Sequence, residues 1–524
     1  MKLKKLHIHN FKKYQDFNID FNEKCNIIIG DNEAGKSSIL QAIDFVCSGS
    51  VRKIESIGLE RIFNRNAVVN FEKADSKTFN KLPILQIDLC LNDCADDEFQ
   101  GKNNLTKELA FGVRLKCEPN DEYEKEIDCI LKYGGSFPFE FYRISFSTFA
   151  DTPYSDIGRK RIKSILIDAS TGTSSLQDFI KKEFQICFQS APQERAKLLN
   201  TYNDMRCSFS NDLKKAGESA KINLDKFGLK KTNLYDFEND LMIYDNEIDL
   251  YMKGSGRQSE VKTLFALTKS KNNCFVLLEE PENHLSQTNL SKLIQAISTK
   301  IGNDNQLFIA THNNEICSRL DLNNVLILGK EDAAITLKDV PQDTARYFMK
   351  TPPASLIEFC LSPKVILVEG PAEMILLESF FTRLCGQKPS KFGVNILDVR
   401  GLSFNRYLAV GSKINKPVAV ITDNDHNAME DVIAKYQTYE KARVFTDNDV
   451  KSYTFEASLI NHDANKVISK VLNMNDPLEF MLKNKTEVAL KLLEYQESHE
   501  KDSTSFNISI PPYIEDAIKW IKEL

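Results

Sequence analysis

The feature that most constrains this 524-residue chain is the octapeptide GDNEAGKS at Gly30–Ser37. It fits the pattern G-x-x-x-x-G-K-[ST], in which glycines let the backbone curl so that successive amides face a phosphate chain. An apolar strand over Cys25–Gly30 precedes the loop, and apolar residues at helical spacing over Ser37–Cys47 follow it. This strand–loop–helix order predicts a nucleotide site in an α/β domain, with the helix N-terminus directed at the anion.

The residue types in this loop predict how ATP is held. Lys36 would neutralise charge on the β- and γ-phosphates, and the hydroxyl of Ser37 would bind Mg²⁺. We therefore predict a nucleotide-binding set made of Gly30, Asn32, Gly35, Lys36, Ser37 and Ser38.

A second apolar strand ends in two acids, in the segment FVLLEEP at Phe275–Pro281. This is a Walker B pattern with Glu at the first acidic position, where Asp is more common. We expect Glu279 to contact Mg²⁺ directly or through water, and Glu280 to orient the attacking water.

Two further segments resemble parts of ABC-type ATPases. The strand Leu307–Ala310 runs into Thr-His, so His312 resembles the switch histidine that contacts the γ-phosphate. The segment KGSGRQSE at Lys253–Glu260 resembles the signature loop, by which Ser255 and Gly256 would reach ATP bound to a second subunit. Residues 1–350 thus resemble an ABC-type ATPase head of SMC-like proteins. The resemblance implies a homo-oligomer formed through the heads, with 48–250 as a possible dimerisation insert.

A second α/β unit is predicted after a Pro-rich break at Thr351–Pro353, and we place a domain over 351–524. A strand over Lys364–Val368 leads into Glu369, and a following helix carries Glu373. A strand over Pro417–Ile421 leads into Asp423 and Asp425. Acids at the ends of adjacent parallel strands converge in one crevice, and oxygen-only sites suit Mg²⁺ or Mn²⁺. Two such ions can activate water and stabilise the leaving oxygen of a phosphodiester.

These acids resemble a Toprim domain, and two later segments resemble those of the overcoming-lysogenization-defect (OLD) nucleases. They are Thr454-Phe455-Glu456 and Asn484-Lys485-Thr486-Glu487. The resemblance implies that Glu456 is a further metal ligand and that Lys485 stabilises the transition state. It also implies a fold class of α/β, with an ABC-type P-loop ATPase head followed by a C-terminal Toprim domain that ends in a helical part.

The OLD resemblance implies an ATP-binding, divalent-metal-dependent endonuclease acting on DNA, as in antiphage effectors. Such effectors include the Gabija nuclease and nucleases encoded beside retrons, so a neighbouring protein or ribonucleoprotein partner is expected. Catalysis would fall to Glu369 and Lys485 in the Toprim domain, and to Glu280 and His312 in the head. The metal set would be Glu369, Glu373, Asp423, Asp425, Glu456 and Ser37.

Composition sets limits on these expectations. The chain has 68 Lys and Arg against 74 Asp and Glu, a net charge of −6, so nucleic-acid binding has to depend on local sites. The apolar runs fall short of the roughly 20 residues that span a bilayer, which predicts a cytoplasmic protein without membrane contact.

The sequence is also compatible with three alternative functions. An RNA nuclease, for example one that cleaves tRNA, would use the same metal chemistry. An SMC-like regulatory ATPase would carry a non-catalytic Toprim domain. A topoisomerase or primase could use a Toprim domain too, but neither Tyr407 nor Tyr453 lies in a context typical of a nucleophile.

Overall fold

A computed structural model describes most of the chain. The described residues are 1–92, 96–134, 136–155, 162–168, 173–188, 191–220, 236–269, 274–300, 305–329, 334–351, 353, 355–400, 403–436, 439–498 and 508–524. Two compact units can be distinguished. The first comprises Met1–Ile28, Asn32–Thr311 and Lys330–Ala334, and the second comprises Ile29–Asp31, His312–Gly329 and Ile335–Leu524.

The chain up to residue 311 alternates strands and helices. Its strands are β1 (Lys2–Phe11), β2 (Tyr14–Asp20), β3 (Cys25–Gly30), β4 (Leu85–Asn92), β5 (Gln100–Gly101), β6 (Ala110–Pro119), β7 (Tyr142–Thr148), β8 (Lys163–Asp168), β9 (Tyr244–Asp245), β10 (Ile248–Asp249), β11 (Cys274–Glu279) and β12 (Gln306–Ala310). Its helices are α1 (Lys36–Ser48), α2 (Val51–Ile57), α3 (Leu59–Ile62), α4 (Arg65–Glu72), α5 (Glu124–Tyr133), α6 (Thr173–Cys187), α7 (Pro192–Ala220), α8 (Ser255–Lys269) and α9 (Gln287–Lys300).

Two larger sheets organise this part of the chain. One is antiparallel, with strand order β2-β1-β4-β6-β5 and β7 beside β6. The antiparallel pairing predicted for the first two strands is confirmed, with Ile8 opposite Phe17. In the other sheet, β3, β12, β11 and β8 lie side by side in parallel. Register brings Glu279 next to Ala310 and Asp168, so the carboxyl ends of β8, β11 and β12 share one edge.

The parallel strands are apolar because both of their faces are covered. Val276, Leu277 and Leu278 of β11 are fully buried, and so is Phe308 of β12. Such strands are near-continuous hydrophobic runs without polar alternation, and this pattern made them recognisable in the sequence. Acidic residues follow the apolar run where β8 and β11 end, so the candidate chemistry of this part of the chain lies at the sheet edge.

The chain from residue 312 on contributes the remaining strands and helices, and its first two strands belong to the sheet that contains β3. Its strands are β13 (Val325–Leu328), β14 (Ala334–Thr336), β15 (Lys364–Val368), β16 (Val394–Asp398), β17 (Val418–Ile421) and β18 (Ala442–Phe445). Its helices are α10 (Asn314–Arg319), α11 (Gln342–Lys350), α12 (Leu356–Leu361), α13 (Pro371–Cys385), α14 (Phe404–Lys413), α15 (Met429–Ala434), α16 (Phe455–His462), α17 (Val467–Leu472), α18 (Leu478–Lys483), α19 (Lys485–Ser498) and α20 (Pro512–Glu523).

A parallel four-stranded sheet of order β16-β15-β17-β18 is the centre of the second unit. Apolar side chains of α13, α19 and α20 pack with the sheet in one core that includes Ile366, Phe380, Ala419, Leu492 and Ile518. Because β15 and β17 are neighbours, the residues that follow them emerge at one edge. The predicted α/β class is confirmed, and the two acidic segments of the sequence lie side by side.

Candidate functional site

The predicted phosphate-binding loop, Gly30–Ser37, has a backbone conformation at Gly35 that only glycine fits well. Gly35 has φ +96°, and a Cβ there would lie 2.3 Å from the hydroxyl oxygen of Tyr14. The same hydroxyl donates a hydrogen bond to the carbonyl of Ala34 (3.1 Å), and Lys13 Nζ donates to that carbonyl at 2.7 Å and to the carbonyl of Glu33 at 3.1 Å. The loop is therefore braced through its carbonyls, and α1 starts directly after it.

The predicted nucleotide ligands sit where this loop meets the helix. Asn32 is exposed, Ser37 and Ser38 are half-buried, and Lys36 is buried with 7% exposure. Gly30 is the last residue of β3. A buried lysine at the first position of α1 is consistent with the predicted role of Lys36 toward phosphate, which stays a prediction.

The Walker A hydroxyl and the Walker B carboxylate meet. The Ser37 hydroxyl hydrogen-bonds to Glu279. Burial raises the pKa of Glu279, the Ser37 hydrogen bond lowers it, and the neighbouring charges of Asp168 and Glu280 raise it further. A hydroxyl beside two or three clustered acids is a donor set that attracts a divalent cation. Strand pairing, not the sequence pattern, brings Asp168 here.

Glu280 has a constrained geometry. Its φ is +46°, a left-handed conformation that costs energy for a side chain with a Cβ and that often occurs at functional sites. The backbone N–H of Glu280 donates to the carbonyl of Ala310 (2.8 Å), and its Oε2 accepts a hydrogen bond from Asn283 Nδ2 (2.6 Å). Its carboxylate is thus held at the carboxyl end of the parallel sheet, and its predicted role in orienting water stays a prediction.

The predicted signature loop opens a helix. Ser255 is the first residue of α8 and is exposed, and Gly254 before it is exposed as well. A Cβ on Gly256 would lie 2.2 Å from the carbonyl oxygen of His284, so only glycine fits at this close approach. Arg257 then pairs with Asp245 through two hydrogen bonds of 2.8 and 2.9 Å. The exposed Ser255 is accessible to a second subunit, as the prediction requires.

His312 is exposed and lies two residues after the end of β12, within the second unit. Its predicted contact with a γ-phosphate stays a prediction.

Among the predicted metal ligands of the second unit, Glu369 is held against the end of strand β17. Its Oε1 accepts hydrogen bonds from the hydroxyl of Thr422 (2.5 Å) and from the backbone N–H of Asp423 (2.9 Å). Two acids from separate strands are thereby brought to one point, as the strand pattern predicted.

Burial makes these carboxyl groups reluctant to ionise. Glu373 in the first turn of α13 is 7% exposed, and burial followed by the charges of Glu456 and Glu369 raises its pKa to about 7. Burial also raises the pKa of Asp423 to about 8, with further contributions from Glu369, Glu373 and Glu456. These groups therefore lie close enough to repel one another.

A cation faces these carboxyl groups. We call Glu369, Glu373, Asp423 and Glu456 together the acidic group. Lys485 Nζ lies 3.1 Å from Oε2 of Glu456, which is 2% exposed. Burial lowers the pKa of Lys485, but the charges of Glu456, Asp423 and Glu373 outweigh this effect, and its pKa is raised. Lys485 is therefore fully charged at neutral pH and directed at the carboxylates.

Asp425 occupies a different position from Asp423. It is exposed, has φ +49°, and its N–H donates to the carbonyl of Tyr453 (3.2 Å). Asn424 between the two aspartates is buried, and its Nδ2 donates to the carbonyls of Asp447 (3.1 Å), Asp449 (3.0 Å) and Ser452 (3.3 Å). Sequence reasoning missed this anchor, since an amide between two acids carries no signal of its partners.

The carboxylate oxygens of the acidic group are suitable ligands for a divalent cation, although they are not spaced closely enough to coordinate one. Within the described residues, no three His, Cys, Asp or Glu side chains are grouped closely enough to hold an ion. However, Oε1 of Glu456 is buried and has no hydrogen-bond partner there. An orphaned carboxylate oxygen next to mutually repelling carboxylates is what a bound cation satisfies. Binding would require the carboxylates to move closer together.

Comparisons with known proteins agree with this arrangement. A family model described as AAA ATPase domain matches residues 1–134 and 150–317. A model described as overcoming lysogenization defect protein-like, TOPRIM domain, matches residues 361–425. The chain is 22% identical to endonuclease GajA of Bacillus cereus (strain VD045) over 459 residues, which are 81% of this chain and 75% of that protein.

Two further similarities are more limited. The DNA replication and repair protein RecF of Lactococcus lactis subsp. cremoris (strain MG1363) is 46% identical over 46 residues, 9% of this chain and 13% of that protein. The solved C-terminal region of the Xanthomonas campestris pv. campestris OLD protein has 20% identity and a TM-score of 0.22, covering 31% of this chain and 93% of that structure.

The family models confirm the predicted combination of an ATPase domain with an OLD-like TOPRIM domain, and with it the prediction of an enzyme that has ATPase and nuclease domains. The two domains imply in general the use of a nucleotide and a divalent metal ion. Among the described residues, no helix is both long and apolar enough to cross a membrane.

Proposed function

The chain belongs to the AAA ATPase domain family, and we propose that it is an ATP-binding endonuclease that cleaves DNA at its TOPRIM domain with divalent metal ions. We propose that the ATPase domain spans residues 1–350 and that the TOPRIM domain spans residues 351–524. The observation that carries the proposal is the pair of Lys485 and buried Glu456, 3.1 Å apart, whose charges act on Asp423 and Glu373. A domain with a purely structural role gains no stability from several mutually repelling carboxyl groups around one lysine.

The metal ligands in this proposal are Glu369, Glu373, Asp423, Asp425 and Glu456. When bound, Mg²⁺ or Mn²⁺ supplies Lewis acidity toward the scissile phosphate and a nucleophilic water at neutral pH. Cation binding favours the ionised carboxylates, and so counteracts the burial that raises their pKa values.

The protein groups position and stabilise. Glu369 accepts a hydrogen bond from the backbone N–H of Asp423, and Asn424 ties the same loop to the carbonyl of Asp447. Lys485 offers a fixed positive charge to the phosphate as negative charge accumulates in the transition state. Glu373 and Glu456 are buried, and low water content around them strengthens their electrostatic interactions.

In the ATPase head, Lys36 would bind the phosphates of ATP, while Ser37 and Glu279 would hold Mg²⁺. Glu280 would orient the attacking water, with His312 at the γ-phosphate. The exposed Ser255 and the close-packed Gly256 would close over ATP bound to a second copy of the chain. Closure would couple the oligomeric state to access of DNA to the TOPRIM edge.

A substrate panel tests the proposal. Supercoiled plasmid, linear duplex, single-stranded DNA and tRNA are each incubated with the protein and Mg²⁺ or Mn²⁺. We expect metal-dependent cleavage of DNA that is lost in Asp423→Ala. Cleavage of tRNA alone would favour an RNA nuclease with the same chemistry. Metal-independent cleavage, or none with ATP hydrolysis intact, would favour a regulatory ATPase with a non-catalytic TOPRIM domain.

We further propose that the protein acts in the cytoplasm as an antiphage effector, together with a protein or ribonucleoprotein encoded nearby. The support is its resemblance to OLD-family effectors. Bacteria that carry the gene and its neighbours should form fewer phage plaques than bacteria that carry the Asp423→Ala allele. Equal plaque counts would contradict the defence role.

A further inference from the structure

A groove of about 710 Å³ lies in the second unit beside the TOPRIM sheet. It is bordered by α11, by the first half of α14, and by the chain that follows α15. Three cations and two tyrosines are among its lining residues: Arg400, Arg406, Lys435, Tyr347 and Tyr439. Asp343 is the one carboxylate among the described lining residues. The groove therefore has an excess of positive charge in a chain whose overall charge is negative.

One lining residue of the groove follows the sheet edge that carries the acids. Strand β16 ends at Asp398, which pairs in register with Val368, the residue before Glu369. Arg400 follows β16 by two residues at this same edge, and its side chain is 82% exposed. Tyr436 follows Lys435 in the chain, and its pKa is raised by burial and then by the charge of Glu369. The segment that carries Arg400 thus leaves the sheet at the same edge as Glu369.

The cationic and aromatic side chains are already oriented. The Arg406 guanidinium lies 5.7 Å from the centroid of the Tyr347 ring, pairs with Asp343, and donates to Thr344 Oγ1 at 3.3 Å. Tyr347 is still 37% exposed, so part of its ring surface is available. The hydroxyl of Tyr439 donates to the carbonyl of Asn405 at 3.3 Å. These contacts hold the two rings and the Arg406 guanidinium in place, so little further conformational entropy is lost when a ligand binds.

We propose that this groove binds the phosphate backbone of the nucleic-acid strand whose scissile bond lies at the acidic edge. Arg400, Arg406 and Lys435 contact phosphates, and the rings of Tyr347 and Tyr439 contact bases. Charged grooves with exposed aromatic rings are typical of sites for single strands. The inference rests on the proposed function for its substrate, and it adds a binding site for the strand outside the metal ligands.

Binding is measured by the fluorescence anisotropy of a short labelled DNA strand. The full-length Asp423→Ala protein with Mg²⁺ is used as the parent, so that cleavage does not interfere. We expect the triple variant R400Q/R406Q/K435Q to bind at least about tenfold more weakly at moderate salt. The slope of log affinity against log salt should become shallower by about 2, because three phosphate contacts are lost. Tyr439→Ala should weaken binding about fivefold or more.

A matched variant removes the same charge elsewhere in the unit. K388Q/K391Q/K470Q neutralises three exposed lysines outside the groove, and we expect parental affinity and slope. Equal losses in both triple variants, or no DNA binding by the parent, would overturn the proposal. If loss of the Arg406–Asp343 pair prevents folding, R400Q/K435Q gives the same test with two contacts.

The outcome is independent of whether the chain is a nuclease. Plasmid cleavage by the unaltered protein tests the proposed function. A protein that binds DNA through the groove and never cuts it contradicts the proposed function alone. A protein that cuts plasmid, and whose groove variant binds and cuts like the matched variant, contradicts the groove alone.

Discussion

Lys485 places its ammonium group 3.1 Å from Oε2 of Glu456, a carboxylate that is only 2% exposed. The pair joins the first residue of α19 to the first turn of α16. Since Lys485 is partly exposed and Glu456 is buried, the lysine is the member of the pair that an incoming phosphate can reach. The exposed ammonium group of Lys485 therefore lies between solvent and the buried carboxylate of Glu456.

Replacing Lys485 should impair cleavage far more than folding. We expect Lys485→Ala to lower the plasmid cleavage rate about 100-fold or more, because a charge that stabilises the transition state is removed. The free energy of unfolding should fall by about 1–3 kcal/mol, since Glu456 loses its partner. Cleavage kinetics and thermal unfolding measure the two effects.

Lys491→Ala is the matched control for this change. Lys491 lies on the same helix, is exposed to a similar extent (48% against 43%), and also pairs with a glutamate, Glu487. It should keep the parental cleavage rate. Equal activity of the two variants would remove Lys485 from the mechanism.

The acidic group predicts how stability depends on pH when metal is absent. Burial first, and then neighbouring carboxylates, raise the folded-state pKa of Glu373 to about 7 and that of Asp423 to about 8. Unfolded carboxyl groups titrate near pH 4, so between about pH 4 and pH 8 the folded protein binds more protons than the unfolded chain. Stability is therefore lost as pH rises through this window.

In EDTA, the Tm should fall by several degrees between about pH 6 and pH 8.5. Asp423→Asn should reduce the part of this fall that Asp423 causes. Added Mn²⁺ should raise the Tm most at the higher pH, where protons compete least for the ligands. A pH dependence that is unchanged by Asp423→Asn would be evidence against the predicted raised pKa.

Glu280 should control ATP hydrolysis without controlling ATP binding. We expect Glu280→Gln to lower the hydrolysis rate about 100-fold while it retains nucleotide affinity, since the amide cannot polarise the attacking water as the carboxylate does. Glu55→Gln, at an exposed position of α2, should hydrolyse ATP at the parental rate. Rapid hydrolysis by Glu280→Gln would assign water activation to another residue.

The two glycines of the signature segment should respond differently to alanine. A Cβ at Gly256 would lie 2.2 Å from the carbonyl oxygen of His284, whereas a Cβ at Gly254 would meet nothing within 4 Å. Gly256→Ala must shift α8 or the backbone at His284, at a cost of about 1–3 kcal/mol, and so displace Ser255. ATP hydrolysis should slow several-fold in Gly256→Ala and stay within about twofold of parental in Gly254→Ala. Equal rates in both variants would argue that the start of α8 has no role at the nucleotide.

Much of the two sites could be predicted because their residues follow short apolar strands. Two apolar runs, one ending at Glu279 and one leading to Asp423, are buried parallel strands. In both cases the acidic residues come where the apolar run ends. The backbone at Gly35, before Lys36, has a left-handed φ that favours glycine. The P-loop pattern specifies glycine at this position.

Other features could not be predicted because they depend on pairing between distant segments. Asp168 reaches Glu279 only because β8 aligns with β11, and the sequence does not specify that partner. Asn424 acts through three backbone carbonyls, which no side-chain pattern encodes. The cationic groove likewise assembles from α11, from the chain around the start of α14 and from the chain that follows α15, which the sequence does not show to be neighbours.

The most direct test of the account is nicking of supercoiled plasmid in Mg²⁺ or Mn²⁺, with and without ATP. Asp423→Ala is compared with Asp516→Ala, which removes an exposed carboxylate from α20. We predict metal-dependent nicking by the parent and by Asp516→Ala, and none by Asp423→Ala, while all three hydrolyse ATP. Undiminished nicking by Asp423→Ala, with metal present, would contradict the assignment of DNA cleavage to the TOPRIM carboxylates.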